Sequence, residues 1–232
     1  GIIVYPGSNC DKDTYNYFSD WFDVFYIWHN DNKSDYSFDL LVIPGGFAFG
    51  DRVYNKATSS YIIEPGVMAV ESPVTKIIEK AVNKKIPILG ICNGFQILLK
   101  LGLLPGELII NNNLKFNCKK VKLQVFNEDY NSTTMLYIAN KFGRYKISEE
   151  EYSNLDKNQV FLKYNERLDM VNSAYDIAGI RNKESTIYGM MPHPERNNND
   201  FKSTLLKIIF PKNKIIHRQI HFYNKIQELM NQ

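Results

Sequence analysis

Disulfide frameworks and zinc ribbons are excluded first, because the chain holds only three cysteines, Cys10, Cys92 and Cys118, with no C-x-x-C pair among them. An odd number of isolated thiols suits a reducing compartment, so a cytoplasmic location without a metal is expected. Charge of one sign is also scarce. The 28 basic and 25 acidic residues leave a formal charge of +3, far from the clustered basicity that marks nucleic-acid or membrane partners. No apolar run reaches the roughly 18 residues that a membrane span needs. The opening Gly1–Gly7 is too short and too uncharged for a signal peptide, and its apolar residues lead into Pro6-Gly7 as a first strand does. Repeats, linkers and domain boundaries are missing too, so one domain over residues 1–232 is expected.

What is present is ample apolar material, 44% of 232 residues, for a sizeable core. Runs at Ile2–Tyr5, Val24–Trp28, Leu40–Ile43 and Ile86–Ile91 are apolar almost throughout, as strands covered on both faces are. Val74–Asn83 carries apolar residues at 74, 77, 78, 81 and 82, a helical spacing. The rhythm of strand, helix, strand predicts an α/β fold with a central, mostly parallel sheet. From Leu108 to Met191 the pattern turns to alternation, as in Val121–Val125, which predicts antiparallel additions to that sheet. Asn131-Ser132-Thr133 matches a glycosylation sequon but reads as a polar turn here. Two helices are predicted at the end, Phe201–Phe210 and Ile215–Met230, separated at Pro211, with Asp200 as a candidate cap for the first.

Chemistry concentrates at Cys92. Ile86–Ile91 reads as a buried strand and Asn93–Leu99 as a helix, so Cys92 stands at their junction with Gly90 and Gly94 two places to either side. Small flanking residues permit the sharp, strained turn of a nucleophile elbow, which lifts the reactive atom clear of the sheet edge. A cysteine that merely fills the core needs neither glycine. Cys10 and Cys118 lack this frame and are assigned to packing or loops.

A thiol nucleophile needs an imidazole to move its proton and a third group to orient the ring. Of four histidines, His29 ends an aromatic strand, and His217 and His221 lie four apart on the predicted last helix with no carboxylate or cysteine to complete a metal site. His193 sits in Met190-Met191-Pro192-His193-Pro194-Glu195, where the prolines hold the backbone extended. Residues i and i+2 then face one side, which brings Glu195 to the ring. Cys92, His193 and Glu195 are therefore the candidate triad. Attack on an amide also needs donors for the oxyanion. The strand end at Pro44-Gly45-Gly46-Phe47 and the amide of Asn93 are the candidate oxyanion hole.

Assembled, these parts resemble the class I, triad-type glutamine amidotransferases, whose signature joins Gly-x-Cys-x-Gly-x-Gln to His-Pro-Glu. Pro6–Asp11, Pro44–Asp51, Gly90–Gln96, Gly102–Gly106, Leu114–Phe116 and Met190–Arg196 are further similar to the glutaminase subunits of phosphoribosylformylglycinamidine synthase, over essentially the whole chain. The resemblance implies a flavodoxin-like fold that hydrolyses glutamine to glutamate and ammonia through a cysteine thioester, with Gln96 holding the amino-acid portion of the substrate. It implies a free-standing subunit that binds no cofactor. Ammonia would pass to a separate synthetase subunit that binds ATP, magnesium and formylglycinamide ribonucleotide, in some complexes beside a small third subunit. The chain departs from the family where Ala48 and Phe49 replace Ser and Tyr, where Ile110–Asn113 replaces Arg-Asn-x-Ser, and where Ala139–Gly143 replaces a His-Gly-Glu-Gly stretch. Two other readings stay open: a glutaminase serving a different synthetase, and a non-catalytic interaction subunit on the same fold.

Overall fold

Segments that are apolar on both faces can pair only in the middle of a covered sheet, and the chain places them there. The computed structural model describes residues 1–33, 35–127, 131–196, 199–212, 216 and 221. Its strands are β1 (Ile2–Val4), β2 (Tyr26–Trp28), β3 (Leu41–Ile43), β4 (Arg52–Asn55), β5 (Ser60–Ile63), β6 (Ile88–Ile91), β7 (Glu107–Ile109), β8 (Asn117–Phe126), β9 (Asn131–Asn140), β10 (Arg144–Lys146), β11 (Val160–Tyr164), β12 (Ile177–Arg181) and β13 (Ile187–Met190). Its α-helices are α1 (Asp11–Ser19), α2 (Val67–Val70), α3 (Thr75–Asn83), α4 (Asn93–Lys100), α5 (Glu149–Ser153) and α6 (Asn199–Ile209).

Nine strands form one sheet in the order β2-β1-β3-β6-β13-β12-β11-β8-β9. The first five run parallel, and β13, β12, β11, β8 and β9 pair successively antiparallel. Both halves of the expected sheet are present. β3 and β6 are buried at every position, whereas β8 alternates buried Val121, Leu123 and Val125 with exposed Lys122 and Gln124. Two small antiparallel two-stranded sheets, the hairpin β4–β5 and the pair β7–β10, lie outside the main sheet. The first falls in the long stretch before α3, where periodicity announced no strand.

Helix α3 buries Ile77, Ile78 and Ala81, the face read from spacing, and α6 stops before Pro211. Three details differ from the sequence reading. Asn131-Ser132-Thr133 is no turn: it opens β9, which pairs with β8 from Asn131↔Phe126 to Asn140↔Asn117, so ladder hydrogen bonds override the polar composition. Helix α6 begins at Asn199, which leaves Asp200 inside the helix rather than at its cap. The predicted helix Ile215–Met230 and the His217/His221 pair fall almost wholly outside the described residues, within which His221 is exposed. No helix among the described residues is long and apolar enough to cross a membrane.

Candidate active site

The junction of β6 and α4 is a strained elbow. Cys92 has φ 51° and ψ −102°, a conformation that costs a non-glycine residue about 1–3 kcal/mol and persists only where its surroundings over-determine it. Here they do. Its N–H donates to Met190 O at 2.7 Å, and its carbonyl accepts from Gln96 N at 3.1 Å. A Cβ at Gly94 would overlap the Ile43 carbonyl, and one at Gly90 would stand 2.6 Å from Leu98 Cδ1. Gly90 thus lets β6 close on α4 and Gly94 lets α4 close on β3.

The parallel register of β6 with β13 pairs Ile91 with Met190. Cys92 and the Met191–Glu195 segment therefore emerge side by side at the same carboxyl edge, although about a hundred residues separate them in the chain. His193 N donates to Tyr137 O at 2.8 Å, which fixes the extended segment against β9. The ring is 1% exposed, and its Nδ1 lies 2.6 Å from Glu195 Oε1. Nε2 takes no hydrogen bond from any described residue. Burial works against charge on this ring, but the Glu195 carboxylate and the neighbouring Cys92 sulfur outweigh it and hold the imidazole protonated well above its usual range. A buried imidazolium beside a sulfur is equipped to give a proton to a leaving nitrogen and take one back from water.

The Gly-Gly turn belongs to the same cluster. A Cβ at Gly45 would sit 2.7 Å from His193 Cε1, so the ring rests on a glycine, and Gly46 lines the pocket that contains Cys92. Among the described residues, no group accepts a hydrogen bond from the amides of Gly46 and Asn93, whereas Phe47 N–H is taken by Gly7 O at 3.0 Å. Phe47 is thereby committed to the loop, and three of the four candidate donors, Gly45, Gly46 and Asn93, are left available among the described residues.

The pocket, about 170 Å³, is lined by Cys92, Gln96, Asp51, Arg52, Asn140 and Phe142 among others. Gln96 is present, but both ends of its amide are engaged: Oε1 accepts from Asn93 Nδ2 at 2.8 Å, and Nε2 donates to Phe142 O at 2.8 Å. Asn93 Nδ2 also donates to Asp51 Oδ1 at 3.1 Å, and its Oδ1 accepts from Ala48 N at 2.9 Å. Asp51, Asn93, Gln96 and the Phe142 carbonyl form one buried chain beneath the pocket.

Three participants were not legible as site residues. Cys10, assigned to packing, is indeed buried, but Arg196 Nη2 donates to its sulfur at 3.3 Å, and its ligand atom lies within 4.8 Å of those of His193 and Glu195. His193 Nδ1 and Glu195 Oε1 meet at 2.6 Å, so we read the cluster as a hydrogen-bonded pair with a thiol beside it. Asn111 is fully buried and braces the 139–143 loop, with Nδ2 to Asn140 O at 2.9 Å and Oδ1 accepting from Gly143 N at 3.1 Å. Asp51 is the third. The only signal for any of them was membership in a family-like segment or in a departure from one.

Asp51 carries a measurable signature. Burial lifts its carboxyl from 3.8 to about 6, against the hydrogen bond from Asn93, which pulls the other way. A raised native-state value means that the folded protein binds the proton more tightly than the unfolded chain. Stability therefore declines as pH climbs from about 4 to about 6, and the penalty is complete above that. Asp51→Asn is expected to gain on the order of 2 kcal/mol at pH 8 and nothing near pH 3.5, which paired denaturant melts at the two pH values will read.

A family model for the CobB/CobQ-like glutamine amidotransferase domain matches residues 1–226. The phosphoribosylformylglycinamidine synthase subunit PurQ of Aquifex aeolicus (strain VF5) is 40% identical over 218 residues, 86% of this chain and 91% of that one. The structure of PurLQS from Thermotoga maritima matches with a TM-score of 0.73 and 34% identity, covering 96% of both chains, and places the sheet in the flavodoxin-like fold of class I amidotransferases. A putative GMP synthase protein of Thermoplasma acidophilum shares the fold with a TM-score of 0.57 at 16% identity, over 98% of this chain and 96% of that one.

Proposed function

This chain belongs to the CobB/CobQ-like glutamine amidotransferase domain family, and from that premise we propose how its residues perform the reaction. It is the glutaminase subunit of a phosphoribosylformylglycinamidine synthase, and it supplies ammonia for purine biosynthesis. Cys92 Sγ attacks the side-chain carbonyl carbon of glutamine, and the charge that gathers on oxygen is met by the amides of Gly46 and Asn93. His193, oriented by Glu195, gives its proton to the amide nitrogen, so that ammonia leaves and a glutamyl thioester remains. Water then attacks the thioester while His193 takes up its proton, and glutamate departs. The observation that carries this reading is a strained Cys92 set by parallel pairing beside a buried His193–Glu195 couple.

A synthetase subunit is the partner that receives the ammonia, and we assign ATP and magnesium to that partner rather than to this chain. A cytoplasmic location and a small third subunit belong to the same proposal, as does the treatment of residues 1–232 as one amidotransferase domain. The pocket mouth supports a covering partner, because Phe47, Ile63 and Phe116 line it and are all about half exposed. Service to a different synthetase is disfavoured by 40% identity to a PurQ subunit. A scaffold without catalysis has no use for a buried imidazole and carboxylate, which are costly to fold.

Glutamate release by the chain alone, set against the chain with its synthetase and that partner's nucleotide ligands, tests the proposal. Assembly is expected to raise the rate at least about tenfold, because a covering partner completes and encloses the site. Equal rates would remove the gating role. Absence of glutamate from the full assembly would favour the scaffold.

A further inference from the structure

Gln96 lines the pocket with each end of its amide already held once, by Asn93 and by Phe142, and it carries no charge to match the substrate's α-ammonium. The pocket wall contains one feature that calls for a ligand. Asp51 is buried, lines the pocket beside Cys92, and spends only Oδ1, on Asn93 Nδ2. Among the described residues no cation offsets its charge: neither Arg52 nor Lys141, the two cations of the pocket lining, is paired with it. A buried carboxylate without a counter-ion destabilises the fold, so its retention calls for a cation that arrives later.

The backbone gives the same answer. Phe49, Gly50 and Asp51 have φ of 55°, 68° and 53°, a left-handed run in which two residues are not glycine. Phe49 N to Pro6 O and Glu64 N to Asp51 O, both at 2.6 Å, hold that run in place. Strain of this kind is spent on aiming a side chain. Asp51 is aimed at Asn93, the residue that follows the nucleophile in the chain.

We propose that Asp51 is a specificity-determining residue that pairs with the α-ammonium of glutamine and so selects a free amino acid over other primary amides. The inference rests on the glutaminase reading. Glutamine bears one positive charge, separated from its side-chain carbonyl by three carbons, and Asp51 supplies a matching negative charge in the lining of the pocket that holds the sulfur. Burial that penalises the empty carboxylate strengthens the pair once the ammonium enters.

The test uses the chain assembled with its synthetase. Wild type should turn over glutamine at least about tenfold more efficiently than glutaramate, which keeps the amide and lacks the amino group. Asp51→Asn, which preserves shape and the bond from Asn93, should raise KM for glutamine about 10- to 100-fold, leave kcat within about threefold, and abolish the preference over glutaramate. Iodoacetamide, a small neutral amide, should alkylate Cys92 in the variant at the wild-type rate. A wild type that accepts both substrates equally overturns the proposal without any variant, as does an Asp51→Asn enzyme with unchanged KM and preference. If the wild-type assembly releases no glutamate while its Cys92 is still alkylated, the glutaminase reading fails and this inference with it.

Discussion

Cys92→Ala is expected to lower glutamate release by at least about 10⁴-fold in the assembled enzyme, since removal of a nucleophile leaves only the binding and oxyanion contributions. The substitution is a mild one for the fold. Alanine keeps the backbone bonds from Cys92 to Met190 and Gln96 and removes only a sulfur that lies 3.8 Å from Ala139 O. Cys118→Ser, at an exposed position on β8, is the matched control and should behave as wild type. A glutamine-like affinity label sharpens the result, because two thiols adjoin His193. The label should modify Cys92 and spare Cys10, whose sulfur is engaged by Arg196 and which has no elbow to present it. Residual turnover above about 1% in Cys92→Ala, or label found at Cys10, would falsify the assignment.

Glu195→Gln is expected to lower kcat by about 10³- to 10⁴-fold with little change in KM, by the logic of any orienting carboxylate in a nucleophile–base–carboxylate triad. Glutamine conserves volume and avoids the larger penalty of stranding a buried imidazolium without any partner. Burial opposes charge on the His193 ring and Glu195 is the first of the groups that sustain it, so the ring's pKa should fall in the variant. Imidazole NMR of wild type and variant reads that shift directly. A merely structural Glu195 would lower stability and leave both the ring titration and kcat unmoved in the folded fraction.

The 139–143 segment departs from the family pattern and still makes its contacts to the site. Its sequence differs from the family's, yet its backbone supplies what the site uses: Ala139 O stands near the sulfur, and Phe142 O anchors Gln96. Asn111, inside another altered segment, ties that loop down from below. Main-chain groups do this work, so the side chains can vary.

The sequence by itself determined the elbow, the His193–Glu195 pair and the parallel sheet with its antiparallel extension, because each depends on periodicity or spacing within a few residues. Only the tertiary structure decided that Cys92 and His193 share an edge, since that follows from the pairing of β6 with β13 across a long stretch of chain. It also decided that Phe47 is no free donor, that Gln96 is braced by Asn93 and the Phe142 carbonyl, and that Asp51 waits in the pocket without a cation among the described residues. Those facts concern which polar groups meet after burial, and local residue patterns carry no record of partners brought together by the fold.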